Sequence, residues 1–197
     1  MQLTDLIQSC AERLGFVVLG IARAGPARTW DMYNRWIGAG MHGSMAYLER
    51  LAPERSDIRN LWPDARSVIS LAVPYRVEIS KPVVTEPNHG IVSAYAWGAD
   101  YHEWCWTRLE QLGAELRRQY GETLETRGYT DTGPILERDL AERAGLGWHG
   151  KNTMLIRPDI GSWFFLAELL VNIDLSPTET SIPDRCGSCT RCLRACP

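Results

Sequence analysis

The residues with the clearest capacity for chemistry stand at the end of the chain. Cys186-Gly-Ser-Cys189-Thr-Arg-Cys192-Leu-Arg-Ala-Cys196-Pro197 has the spacing C-x2-C-x2-C-x3-C-P, the run in which three thiolates converge on one [4Fe–4S] cube and the fourth reaches a second cube. The spacing has a geometric reason. Gly187 and Ser188 permit tight turns that bring successive thiolates together, and the longer last step sends Cys196 away. Disulfides and zinc are the competing readings: the first needs an oxidising compartment, and the second is typical of two separated ligand pairs. The remaining cysteines, Cys10 and Cys105, fall in apolar, helix-patterned surroundings that suit ordinary buried thiols. Ligand arithmetic then leaves both clusters incomplete, since Cys186, Cys189 and Cys192 give three ligands to one cube and Cys196 gives one to another. A longer protein with a second cysteine run is expected to supply the rest.

Electrons delivered by such clusters need a recipient in the larger part of the chain. The densest polar sequence there is Tyr129-Thr-Asp131-Thr-Gly-Pro-Ile-Leu-Glu137-Arg138, followed by Ala144-Gly-Leu-Gly-Trp148-His-Gly-Lys151-Asn152. Asp131 closes a predicted strand and precedes Gly133-Pro134 at a helix start, which is where α/β sites place chemistry. The same position suits a plain helix cap, and on spacing alone the cap is the simpler reading. Glu137 and Arg138, just inside that helix, read equally well as a solvated pair. Gly145, Gly147 and Gly150 allow backbone to approach a flat ligand but make no dinucleotide fingerprint. His42, His89, His102 and His149 are scattered and read as core or surface histidines. Trp97, Tyr101, Trp104 and Trp106 read as core, although Tyr95 and Trp97 would be candidates to pack against a macrocycle.

These residues need a scaffold. Leu3, Leu6, Ile7, Cys10 and Leu14 follow helical spacing, and the apolar run from Phe16 to Ala22 has strand length. A second helix is predicted around Trp30 to Ile37. The glycine-rich loop Gly38 to Gly43 follows it, with Ser44 as a cap for Met45 to Leu51. Ser67 to Val73 predicts a strand ended by Pro74, and 81–90 a surface loop with two prolines. Trp104, Leu109, Leu112 and Leu116 predict a helix from Tyr101 to about Tyr120. Leu124 to Thr130, Thr153 to Ile156 and Ser162 to Ile173 predict further strands. Strands alternating with helices point to an α/β (α+β) fold with a single mixed sheet over 1–176. Pro177 to Asp184 reads as a linker, so that 177–197 is linker plus the start of a ferredoxin-like module.

Length and composition agree with that division. The 197 residues, 45% hydrophobic and 23% charged, can bury one core and carry a small appendage. A net charge of −3 gives no global argument for a polyanionic partner. The N-terminus lacks the basic and apolar regions of an export signal, so the cytoplasm is the expected compartment. No apolar run approaches the roughly 18 residues of a membrane span. The longest, Trp163 to Val171, is broken by Glu168.

Several stretches together resemble epoxyqueuosine reductases: His42-Gly-Ser-Met-Ala-Tyr-Leu48, Ser93-Ala-Tyr-Ala-Trp-Gly-Ala-Asp-Tyr-His102, Asp131 to Arg138, Gly145 to Asn152, Gly161-Ser-Trp163 and the cysteine run. The resemblance implies a cobalamin-dependent enzyme with two [4Fe–4S] clusters that reduces epoxyqueuosine to queuosine at the tRNA wobble position, a relative of the reductive dehalogenases. By motif position it implies Asp131 as proton donor, Arg55, Tyr95, Asp131, Ile156 and Ala167 as corrinoid-lining, and Arg138 as a tRNA contact. It makes Cys186, Cys189 and Cys192 ligands of the first cluster and Cys196 a ligand of the second. The expected partners are tRNA bearing epoxyqueuosine and an external low-potential electron donor, with no membrane, for a monomeric protein; this chain alone is expected to be inactive. Epoxide removal needs electrons and a proton for a poor leaving group, and a carboxylic acid in a partly apolar site can keep that proton. The alternatives are a reductive-dehalogenase-like corrinoid reductase of a small molecule and a ferredoxin-like electron carrier with an enlarged N-terminal domain.

Overall fold

The computed structural model describes residues 3–76 and 90–196. The loop expected over 81–90, apart from Gly90, and His89 lie outside the described residues. Helix α1 (Leu3–Arg13) buries Leu6, Ile7, Cys10 and Ala11 and leads into strand β1 (Val18–Arg23). Four short helices follow: α2 (Trp30–Gly38), α3 (Ala46–Arg50), α4 (Ala52–Ser56) and α5 (Ile58–Leu61). Ser44 does not cap α3 with its side chain; Met45 holds the cap position, and Ser44 instead offers its carbonyl to the Ala46 N–H. Then come β2 (Ser67–Pro74), a 3-10 turn (Ala94–Ala96), the long α6 (Tyr101–Tyr120) and β3 (Thr126–Tyr129). Helix α7 (Glu137–Arg143), the small hairpin β4 (Trp148–His149) and β5 (Leu155–Ile156), β6 (Phe164–Val171) and α8 (Arg191–Ala195) complete the chain.

The four-stranded sheet has the order β1-β2-β6-β3, and all three pairings are antiparallel. The mixed sheet expected from the sequence is therefore corrected to an antiparallel one. The physical reason is that β2 and β6 are covered by helices on both faces, so each reads as a nearly continuous apolar run, and such a run carries no information on strand direction.

One face of the sheet packs Ile21, Ile69, Leu71, Ala167, Leu169 and Val171 against α1 and α6. Phe16 meets Trp104 edge to face at 5.4 Å on this side. The other face carries Val18, Ala22, Val68, Ala72 and Leu170 against Leu140 and Ala141 of α7 and against Trp62. Gly20 makes that second layer possible. A Cβ there would stand 2.0 Å from the Ala144 carbonyl oxygen and 2.8 Å from Leu146 Cδ1, so only glycine lets the end of α7 lie this close to β1.

Two further expectations change. Trp97 and Trp106 are 43% and 42% exposed instead of core, whereas Cys10 and Cys105 are buried free thiols as read from the sequence. The Pro177 to Asp184 segment has no helix or strand but is anchored at its start: the Thr178 N–H donates to the Ile21 carbonyl and the Ile21 N–H donates to Thr178 Oγ1, both at 2.9 Å. Thr178 thus satisfies Ile21 on the outer edge of β1, where no further strand pairs among the described residues.

Candidate active site

The loop after β3 builds the site. Thr130 is fully buried and fixes the loop's root by donating from Oγ1 to the Leu166 carbonyl at 2.8 Å. The next residue, Asp131, has φ of 54°, a left-handed conformation uncommon for a residue with a side chain. Its N–H donates to Glu137 Oε1 at 2.6 Å. Its carboxyl Oδ2 accepts from the Tyr101 hydroxyl at 2.9 Å and lies 3.3 Å from His102 Nε2. Asp131 is not a helix cap. Helix α7 starts only at Glu137, with Leu136 in the cap position, because Gly133-Pro134 sits in a bend that delays it.

Tyr101 and His102 reach Asp131 because they open α6. Asp100 caps that helix by accepting from the His102 N–H at 2.9 Å, and the same Oδ1 meets His102 Nδ1 at 2.7 Å. Tyr101 stacks on Phe165 of β6, with ring centroids 3.9 Å apart and planes 4° from parallel, and on His102 at 4.0 Å. Burial and the bond to Asp131 raise the Tyr101 pKa, so it remains a donor. Burial opposes a charge on His102, but the Asp100 and Asp131 carboxylates outweigh it and raise its pKa above the ordinary value.

Asp131, Glu137 and Arg138 edge an open cleft of about 250 Å³ whose other walls include Met154, Phe164, Phe165 and Leu166. The partly apolar surround expected for Asp131 is not observed, since its side chain is 64% exposed. Burial falls instead on its neighbours. Glu168 is fully buried, and Glu137 is half-buried. Burial pushes the Glu137 carboxyl up to about 7 against the opposing pull of the Asp131 N–H. Burial and the adjacent Glu137 charge hold Glu168 well above its ordinary range. Glu137 is therefore not half of a solvated pair, whereas Arg138 is exposed and donates to the Thr153 carbonyl.

The other candidates from the sequence are dispersed. Arg55 is buried in α4, donates to the Leu51 carbonyl at 3.2 Å, and lines a separate small pocket with Asp139 and Arg143. Tyr95 is 52% exposed on the 3-10 turn. Ile156 sits half-buried beside the cleft-lining Leu155, and Ala167 is fully buried with its side chain toward α1 and α6. Sequence reasoning missed Tyr101, His102, Phe165 and Glu168 as site residues. Glu168 alone left a signal, as the single acid interrupting the longest apolar run.

Cys186, Cys189, Cys192 and Cys196 are free and half-exposed to exposed. The Cys189 N–H closes a turn on the Cys186 carbonyl at 2.8 Å, and Gly187 takes φ of 43° within it. Lys151, from the loop between β4 and β5, ties this turn to the core by donating to the Gly187 and Cys189 carbonyls at 2.6 and 3.1 Å. Among the described residues no three His, Cys, Asp or Glu side chains close on a point as around a single ion. The donor set is nonetheless all thiol, the soft chemistry an iron–sulfur cluster requires. For cobalamin, the apolar cleft wall with exposed Met154, set against the polar Asp131 edge, fits a broad and partly apolar group.

Fold and site together define an α+β domain with an acid-edged cleft and a thiol-rich appendage. The family model described as Epoxyqueuosine reductase QueG, DUF1730 matches residues 55–132. Epoxyqueuosine reductase of Synechocystis sp. is 46% identical over 182 residues, covering 91% of this chain and 61% of that protein. Among solved structures, epoxyqueuosine reductase from Streptococcus thermophilus superposes with a TM-score of 0.85 at 29% identity, covering 100% of this chain and 52% of that one. An epoxyqueuosine reductase crystallised with an epoxyqueuosine-modified tRNA-Tyr stem loop gives 0.82 at 31% identity, with 99% and 52% covered. A B12-dependent reductive dehalogenase shares the fold at 19% identity and a TM-score of 0.51, covering 90% of this chain and 20% of that one. The chain is thus homologous to epoxyqueuosine reductases over nearly its whole length, and it spans about half to three-fifths of the relatives it matches.

Proposed function

We propose that this chain is the catalytic portion of an enzyme that reduces epoxyqueuosine in tRNA to queuosine, with Asp131 as proton donor. The observation that carries the reading is the Asp131 carboxyl, exposed at the cleft and held by Tyr101 and His102. Removing the epoxide oxygen to leave a C=C bond consumes two electrons and two protons and releases one water. Alkoxide is a poor leaving group, so a positioned acid contributes directly to the rate. Because Oδ2 is engaged by Tyr101 and His102, Oδ1 is the atom from which Asp131 gives its proton. His102, whose pKa is raised by its two carboxylate neighbours, stands 3.3 Å from Oδ2 and can return one.

Cobalamin, when bound, supplies low-potential electrons at cobalt, while the protein supplies placement. Of the residues the resemblance implies, Asp131 at the cleft edge, Ile156 beside it and the exposed Tyr95 would hold it, whereas Arg55 lines a separate pocket and Ala167 is buried toward α1 and α6; Arg138, exposed at the cleft edge, would contact the tRNA. Cys186, Cys189 and Cys192 would ligate one [4Fe–4S] cluster and Cys196 a second, completed by the remainder of the protein and fed by an external low-potential donor. On this reading 1–176 is the corrinoid-binding domain and 177–197 the first half of a ferredoxin-like module, in a cytoplasmic monomer. No helix among the described residues is long and apolar enough to cross a membrane.

The activity is tested with the full-length protein, reconstituted with iron, sulfide and cobalamin and given a chemical reductant. Epoxyqueuosine-containing tRNA should be converted to queuosine-containing tRNA, read by nucleoside mass spectrometry. Loaded enzyme that leaves the epoxide intact overturns the assignment.

A further inference from the structure

Glu168 is fully buried on β6, and among the described residues no N–H or hydroxyl donates to either of its carboxyl oxygens. Ser70, directly opposite on β2, is also fully buried, and its hydroxyl has no partner among the described residues. An ionised carboxylate in that position would go uncompensated, so Glu168 keeps its proton. The group able to accept that proton's hydrogen bond is Glu137 of α7, whose Leu140 packs with Leu170 on the Glu168 side of β6. Glu137 is itself committed at its other end, where Oε1 accepts the Asp131 N–H at 2.6 Å. A continuous path thus runs from the buried Glu168 through Glu137 to the peptide that carries the left-handed Asp131.

We infer that Glu137 and Glu168 are positioning residues that share one proton, and that the ionised Glu137 latches the Asp131 peptide so that its carboxyl stands at the cleft. This rests on the reading of Asp131 as proton donor but concerns two different residues, neither of which touches the substrate. A charged acceptor binds an N–H more strongly than a neutral one, so the latch is firm while Glu137 is ionised and loosens once it takes up a second proton. Other groups face the pair. Helix α6 presents Tyr101, His102 and the buried thiol of Cys105; the β3 loop presents Asp131; and α7 presents Arg138, whose charge favours ionised Glu137. His102, whose pKa is raised by the Asp100 and Asp131 carboxylates and whose ring stands 3.3 Å from Asp131 Oδ2, is the competing cause of any response at Asp131.

The test is NMR on the full chain with labelled Glu side-chain carboxyls and backbone amides, and it needs neither cofactor nor turnover. Glu137 should titrate with a midpoint near 7, while Glu168 stays protonated from acid pH through neutrality. The Asp131 amide should follow the Glu137 midpoint, its exchange protection falling about tenfold as Glu137 is neutralised, the loss of roughly one charge-assisted hydrogen bond. Glu137→Gln should abolish that response and His102→Gln should preserve it. Glu168→Gln, which keeps a neutral donor for Glu137, should preserve the response as well and guards against misfolding of the first variant. A response that survives Glu137→Gln and disappears in His102→Gln, or a Glu168 carboxyl that ionises in the ordinary acid range, overturns the inference. In the full-length enzyme Glu137→Gln should flatten the acid limb of the kcat profile with little change in KM. If the NMR coupling holds while Asp131 variants stay active, the proposed function fails and the latch stands.

Discussion

The Asp131 loop and the cysteine turn are both irregular segments, yet the fold treats them in opposite ways. Asp131 is bonded at its backbone by Glu137 and at its side chain by Tyr101 and His102, from two different helices, and its root at Thr130 is buried. Among the described residues, the side chain that holds the cysteine turn to the core is that of Lys151. On the proposed function the difference has a reason: a group that gives a proton at a defined place gains when rigid elements already hold it there, whereas thiols that wrap a cluster would gain their geometry from the cluster itself. The site is built into the core, and the appendage is built onto it.

The sharpest way to break this contrast is to move α7. Gly20→Ala drives a Cβ into the Ala144 carbonyl. It should destabilise the core by about 3 kcal/mol, the upper part of the overpacking range, lowering Tm by roughly 2–4 °C per kcal/mol. The reactivity of Cys189 and Cys192 toward an alkylating reagent should be unchanged. Equal changes in both regions would show that the appendage depends on the same packing.

A smaller effect separates the buried acids from the exposed one. Glu137 and Glu168 both have folded pKa values raised above the ordinary 4.5, to about 7 for Glu137. The folded chain therefore holds protons that the unfolded chain has released. The stability this provides is complete below pH 4.5 and is lost as pH rises through the folded values, at up to about 1.4 kcal/mol per pH unit for each proton. Glu168→Gln should make the decline in Tm between about pH 5 and pH 7 shallower and stabilise the chain at neutral pH. An unchanged slope in a thermal melt series would remove Glu168 from the account.

The smallest effect on the core belongs to Lys151. Lys151→Ala should change the unfolding free energy by no more than about 0.5 kcal/mol, as for most exposed positions. Alkylation of Cys186 should rise severalfold, measured by mass spectrometry of the digested protein.

Much of this arrangement was legible in the sequence, and the reasons for the gaps are physical. Helices α1 and α6 declared themselves because one face of each packs on the sheet, so the 3.6-residue period survives in Leu6, Ile7 and Cys10 and in Leu109, Leu112 and Leu116. The cysteine run is legible because ligand spacing is local. Strand direction was not, because β2 and β6 are buried on both faces. Asp131 could be singled out but not told from a helix cap, since the difference lies in where α7 begins. Tyr101 and His102 were hidden because they meet Asp131 across about thirty residues of sequence, a distance no local pattern spans. Glu168 stood out as an acid in an apolar run, but its partner lies on another element.

Whether Asp131 is the proton donor is decided by Asp131→Asn in the full-length reconstituted enzyme. The side chain is exposed and the substitution preserves its shape, so cobalamin, iron and sulfide content and Tm should match the parent protein. Single-turnover conversion of epoxyqueuosine-containing tRNA should fall by about 10²–10⁴-fold, the usual contribution of a positioned acid. Conversion at close to the parent rate by a variant with full cofactor content would contradict the account.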